Sequence, residues 1–69
     1  MINVFFENFN GEKRSIGTVL DRKEAYDLID DFLKERNFKS YYKRWWQIDE
    51  RTSAVDVGSW YERFYLEEV

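Results

Sequence analysis

The chain contains no cysteine, no histidine and no proline, and only three glycines among 69 residues. Without cysteine, neither a disulfide nor a zinc–thiolate centre can form. Without histidine, the commonest general base and the commonest transition-metal ligand are missing, so a Ser–His hydrolase arrangement is excluded. Three isolated glycines cannot build a phosphate-cradling loop. No apolar run approaches the ~20 residues that span a bilayer. The start, Met-Ile-Asn-Val-Phe-Phe-Glu, has neither the basic nor the apolar segment of a signal peptide. The lack of cysteine agrees with a reducing compartment. The chain therefore reads as a complete cytoplasmic product that is not membrane-bound, is not an enzyme, and takes no metal and no cofactor.

Aromatic residues are what the chain has in excess: six Phe, five Tyr and three Trp. Each can bury roughly 150–250 Å², which offsets the small core available to one domain of this length. Net charge is −3, which argues against a duplex-DNA binder. The charge is unevenly spread. Lys34 to Trp46 holds five bases and one acid, whereas Asp21 to Leu33 holds five acids and two bases.

Periodicity predicts an α+β domain over residues 1–69: an antiparallel sheet of four to five strands with one amphipathic helix on one face, in the order β-β-α-β-β(-β). Ile2 to Asn8 alternates as a strand. Asn10-Gly11 is a hairpin signal, and Lys13 to Leu20 returns. With a two-residue loop, Glu7 would face Arg14, Phe5 would face Ile16 and Val4 would face Gly17. Gly17 leaves room for a helix to approach the sheet. Asp21 with Glu24 forms a capping box. Ala25, Leu28, Ile29, Phe32 and Leu33 then form one apolar stripe of a helix running to about Asn37. Tyr41 to Asp49 reads as the third strand. Trp46 and Ile48 are assigned to its core face, and Tyr41, Lys43 and Trp45 to its outer face. A turn is expected at Glu50 to Ser53 and a fourth strand from Ala54. Gly58 either bends that strand or separates it from a fifth carrying Phe64 and Leu66 on one face.

Three groups of residues are candidates for function. The segment Phe38 to Ile48 combines Tyr41, Tyr42, Trp45 and Trp46 with Lys39, Lys43 and Arg44. Rings interleaved with bases suit a protein-interface hot spot or a stacking platform for unpaired bases. Such rings also fill cores, but alternation prevents Trp45 and Trp46 from both facing one core. The expected partner surface is Tyr41, Lys43, Arg44 and Trp45, with Tyr61 and Arg63 from the last strand. The second group is the acidic helix face, Glu24, Asp27, Asp30, Asp31 and Glu35. It is either a solvated face or a mimic of DNA phosphates, and no calcium-loop spacing is present. The third is Gly58-Ser59-Trp60 between Asp56 and Glu62. Gly58 suits a bulge, with Asp56 or Ser59 bonding the local backbone.

Asp56-Val57-Gly58-Ser59-Trp60-Tyr61-Glu62-Arg63-Phe64 resembles a pattern in small uncharacterised proteins of bacteriophages and mobile elements of Gram-positive bacteria. There, Asp-x-Gly-Ser-(Trp or His)-x-Glu precedes two phenylalanines, and a segment like Asn37 to Tyr42 lies upstream. The resemblance covers roughly the last half of the chain and departs at Arg63, where phenylalanine is expected. It implies a phage-type accessory protein acting in the host cell, with no activity and no functional residues to transfer. The expected function is binding and modulating or inhibiting a host protein, such as a defence or nucleic-acid-processing enzyme. The alternatives are a single-stranded nucleic-acid-binding module and a self-associating structural protein, a homodimer through its aromatic strand.

Overall fold

The computed structural model describes residues 1–36, 43–58 and 62–69. Its elements are β1 (Ile2–Glu7), β2 (Lys13–Val19), α1 (Arg22–Glu35), β3 (Arg44–Gln47), β4 (Thr52–Asp56) and β5 (Arg63–Glu68). The five described strands form one antiparallel sheet in the order β2-β1-β5-β4-β3. The last strand thus sits in the middle of the sheet, between the first strand and the fourth. α1 lies on one face, over β1 and β2. The expected α+β architecture is present, with β4 and β5 as two strands rather than one bent strand. The predicted helix end at Asn37, and the expectations for Lys39, Tyr41, Tyr42, Ser59, Trp60 and Tyr61, lie outside the described residues.

Local chemistry accounts for the first half of the fold. Asn8 Oδ1 accepts from the amides of Asn10 at 2.9 Å and Glu12 at 3.1 Å, and Gly11 N–H donates to Asn8 O at 3.0 Å. Gly11 takes φ 82°, a left-handed conformation that glycine adopts without Cβ strain. The loop is therefore the three-residue type, a turn followed by a left-handed residue, not the expected two-residue one. Glu7 pairs with Lys13, Phe6 with Arg14 and Phe5 with Ser15. A bulge then shifts the register between Val4 and Phe5, so that Val4 faces Gly17 as expected. Phe5 does not face Ile16, and Glu7 does not face Arg14, because the loop takes up one more residue and the bulge restores the count.

The capping box forms as the sequence predicts. Asp21 Oδ1 accepts from Glu24 N–H at 2.9 Å, and Glu24 Oε1 accepts from Leu20 N–H at 2.9 Å. One orphan donor of the first turn, Glu24 N–H, is satisfied by the cap, and the Glu24 carboxylate reaches back to the amide one residue ahead of it. Asp21→Ala is expected to lower stability by about 1 kcal/mol, read as a lower denaturant midpoint with an unchanged slope.

The helix stripe meets the sheet as expected. Ala25, Ile29 and Leu33 are buried against Val4, Phe6, Val55, Val57, Phe64 and Leu66, with Leu28 and Phe32 packed alongside. Phe6, Phe32 and Phe64 form a triangle with centroids 4.7, 5.3 and 5.6 Å apart, the last contact T-shaped. A Cβ at Gly17 would stand 2.8 Å from Leu28 Cδ2, so the glycine is the space into which the helix settles.

The second half departs from expectation in its turn. Thr52 and Ser53 belong to β4, and the reversal is made by Asp49 to Arg51. Asp49 Oδ1 accepts from the amides of Arg51 and Thr52, both at 2.9 Å. The Arg51 amide chiefly holds this exposed carboxyl below its ordinary pKa. Gly58, at φ 89°, donates its amide to Asp56 Oδ1 at 3.0 Å just past the end of β4. This is the local role that the sequence suggested for the pair.

Candidate functional site

Directly opposed residues in a sheet share a face, so the pairing decides where each candidate points. Trp45 pairs with Val55, which pairs with Phe64 and lies in the helix-side core. Trp46 pairs with Ala54, which pairs with Tyr65 and, beyond it, Phe5. Trp45 is therefore on the helix-bearing face and Trp46 on the helix-free face, the reverse of the assignment from sequence. Ile48 is not core either; it lies past the end of β3 and is 51% exposed. The reason is the edge position of β3. Both faces of this strand are aromatic, so its own pattern carries no preference, and the neighbouring β4 sets the parity by burying Val55, with Val57 just beyond it.

Lys43 and Trp45 consequently belong to the margin of the core. The Lys43 ammonium stands 2.9 Å from Asp30 Oδ1 and 5.5 Å from the Tyr26 ring. The Arg22 guanidinium lies 4.1 Å from the Trp45 ring centroid. Beside that stack is a shallow pocket of about 300 Å³ that includes Ile2, Gln47 and Leu66. These groups tie the helix to the far half of the sheet.

The helix-free face gathers the remaining candidates. Its central row, from β2 to β3, is Ser15, Phe5, Tyr65, Ala54 and Trp46. The next row is Lys13, Glu7, Arg63, Asp56 and Arg44, which alternates in sign across all five strands. With strands about 4.8 Å apart, each charge is flanked by opposite ones. The Lys13 ammonium lies 4.6 Å from the Tyr65 ring and 5.3 Å from the Phe5 ring, and the Arg63 guanidinium lies 5.9 Å from the Trp46 ring. Tyr65 donates its hydroxyl to Glu7 Oε1 at 3.2 Å. Burial and the Glu7 charge push the Tyr65 phenol above its ordinary pKa, which keeps it a donor.

Arg44 and Arg63 are thus brought together with Asp56 between them, while Lys43 and Trp45 are separated from them by the thickness of the sheet. Phe5, Lys13, Tyr65 and Trp46 are members of this surface that the sequence pattern did not assign to it. Their alternation in each strand marks them as one face, but only the strand order places them in rows.

The acidic helix face is less uniform than its sequence suggests. Glu24 is used in the cap and Asp30 in the Lys43 pair. Asp27 has Lys23 at 3.8 Å, with both side chains largely exposed, a contact of little energetic weight. Asp31 and Glu35 are exposed. Among the described residues no group of three or more carboxylates is placed to hold a metal ion. No described helix is long and apolar enough to cross a membrane. A cleft of about 680 Å³ opens between the hairpin loop and the end of α1, over Phe6, Phe9 and Phe32. Its bases are offset by acids, among them Glu62, 3.0 Å from Arg36.

The fold and this surface define a small α+β domain with one sheet face covered by a helix and the other bearing aromatic and charged rows. No protein-family model matches the chain, and neither the curated proteins nor the solved structures show a match to it.

Proposed function

We propose that this is a non-catalytic accessory domain that binds another protein through its helix-free sheet face, with Phe5, Tyr65 and Trp46 as the apolar centre and Arg44 and Arg63 as flanking contacts. The observation that carries this reading is the charge balance of the face. Among its described strand residues, the bases Lys13, Arg44 and Arg63 are matched by Glu7, Asp56 and Glu67 on the same side. A polyanion needs a surplus of bases to release counterions, and these rows are balanced. A protein surface with an apolar patch ringed by both signs of charge is the complementary partner. The phage-type resemblance of the C-terminal half supports a host protein as that partner, and modulation as the outcome.

The test is capture from a host lysate with nuclease present, followed by titration of the purified captured protein. Arg63→Ala with Trp46→Thr is expected to weaken that binding at least tenfold while leaving the thermal transition in place; both side chains lie on the surface. Asp27→Lys with Asp31→Lys is expected to change it little. Capture that disappears with nuclease would move the function to single-stranded nucleic acid, and loss of binding in the helix variant would move it to phosphate mimicry.

A further inference from the structure

The helix-bearing face of the sheet is only partly covered by its helix. α1 lies over β1 and β2 and begins at Arg22. Beside its first turn, at the end of the sheet opposite Arg44 and Arg63, is the pocket of about 300 Å³ next to the Arg22–Trp45 stack. Strand pairing builds its floor. Gln47 faces Ser53, which faces Leu66, and Ile2 faces Glu68. Leu66 is buried and Ile2 packs against the core, so the floor is largely apolar. Ser53 donates its hydroxyl to Gln47 Oε1 at 3.3 Å, and Gln47 Nε2 donates to Asp49 O at 2.6 Å. The polar pair on this floor is thus already satisfied by the protein itself.

Charge distinguishes this pocket from the other hollows of the molecule. The cleft over Phe6 and Phe32 is lined by three bases and three acids. A hollow between the Asp49 to Arg51 turn and the end of β5 is lined by four acids and one base. The pocket beside Trp45 is lined by two bases, Arg22 and Arg51, and one acid, Glu68. It is therefore positive on a chain of net charge −3. Among the described residues neither guanidinium forms an ion pair. The Arg22 guanidinium rests 4.1 Å from the Trp45 ring centroid. That contact holds its donors in place before a ligand arrives and lowers the ordering cost of binding.

We propose that this pocket binds a small apolar carboxylic acid as its anion, with the carboxylate on Arg22 and Arg51 and the apolar body on Ile2 and Leu66. A planar guanidinium donates two parallel hydrogen bonds to a carboxylate. The volume stands at the lower limit of ligand pockets and takes a body of about one ring. The surplus is a single positive charge, so a monoanion balances it, whereas a dianion meets Glu68 uncompensated. Ser53 and Leu66 lie in strands bonded on both sides, so the floor offers no free backbone to hold the main chain of a peptide. The site is on the opposite side of the sheet from the proposed protein-binding face and is independent of it.

The test is titration of the full chain with 3-phenylpropionate, followed by the NMR signals of the indole N–H groups. The expected result is a saturable shift, largest at Trp45, with half-saturation at about 1 mM. 3-Phenylpropionamide, the neutral counterpart, is expected to give no saturable shift. Phenyl phosphate in its dianionic form is expected to bind about fivefold more weakly than the carboxylate, and Glu68→Gln to remove that difference. Arg22→Gln with Arg51→Gln is expected to abolish the shift and leave the thermal transition in place, since both side chains are exposed. Arg63→Ala is expected to leave the titration unchanged, which separates this site from the helix-free face. Absence of a saturable shift, an equal shift with the amide, a shift that persists in the double arginine variant, or tighter binding of N-acetylglycylphenylalanine than of 3-phenylpropionate would each overturn the proposal.

Discussion

Phe64→Ala is expected to leave most of the chain unfolded at physiological temperature. Phe64 is fully buried in the central strand β5. It closes the aromatic triangle with Phe6 and Phe32 and faces Val55 on the neighbouring strand. Truncating a buried phenylalanine typically costs about 3–5 kcal/mol, through lost transfer energy and the cavity left behind. A domain of 69 residues has roughly 3–10 kcal/mol in total at ordinary stability per residue, and no disulfide limits its unfolded state. The loss is thus comparable with the whole. Thermal and denaturant unfolding check this, with Phe64→Leu as the milder control expected to retain a cooperative transition. If Phe64→Ala unfolded within a few degrees of the parent, the triangle would not be the centre of the core.

Gly17→Val is the second large effect. A Cβ at this position already stands 2.8 Å from Leu28 Cδ2, and valine adds two further methyl groups in the same gap. Gly17→Ala can be accommodated by rotation of the Leu28 side chain, and the lower entropy of the unfolded chain partly offsets the strain. Valine cannot be fitted without moving α1 from β2. Overpacking of this kind costs about 1–3 kcal/mol. The expected order of stability is Gly17, then Ala, then Val. Gly17→Val with Leu28→Ala is expected to recover part of the loss, because the two side chains compete for one space. Absence of recovery would mean that the strand conformation, and not the helix contact, requires glycine.

The half of the molecule written in local signals was legible in the amino-acid sequence. Asp21 and Glu24 announce a helix start because a carboxylate and a free amide meet within one turn. Ala25, Ile29 and Leu33 announce the buried stripe because 3.6-residue periodicity is a property of the segment alone. Gly17 could be read as a landing place for the helix from its position opposite Val4, because the bulge at Ile16 restores the register that the longer loop shifts by one. That bulge was not legible, because a two-residue and a three-residue loop are both compatible with Asn10-Gly11. The Asn8 side chain, which accepts two loop amides, favours the longer one.

The candidate surface was legible only in its residue types. Arg44 and Arg63 were recognised, but Trp45 and Lys43 were placed on the wrong side of the sheet and Trp46 in the core. A strand with tryptophan on both faces offers no contrast between them, so the choice of side passes to its neighbour. β4 makes that choice by burying Val55, and β5 supports it by burying Phe64 and Leu66.

By itself the sequence determined the composition that excludes thiol and imidazole chemistry, the helix with its cap and stripe, the first hairpin, and the α+β class, because each depends on residues close together in the chain or on counts alone. Tertiary structure decided that the last strand enters between the first and the fourth, that β3 becomes an edge with Trp46 outward, and that Lys13, Glu7, Arg63, Asp56 and Arg44 align as one alternating row. Those outcomes depend on pairings between residues far apart in the chain, such as Glu7 with Arg63 across β1 and β5. No local preference encodes them; they follow from the arrangement that buries Val4, Phe6, Val55, Phe64 and Leu66 together under one helix.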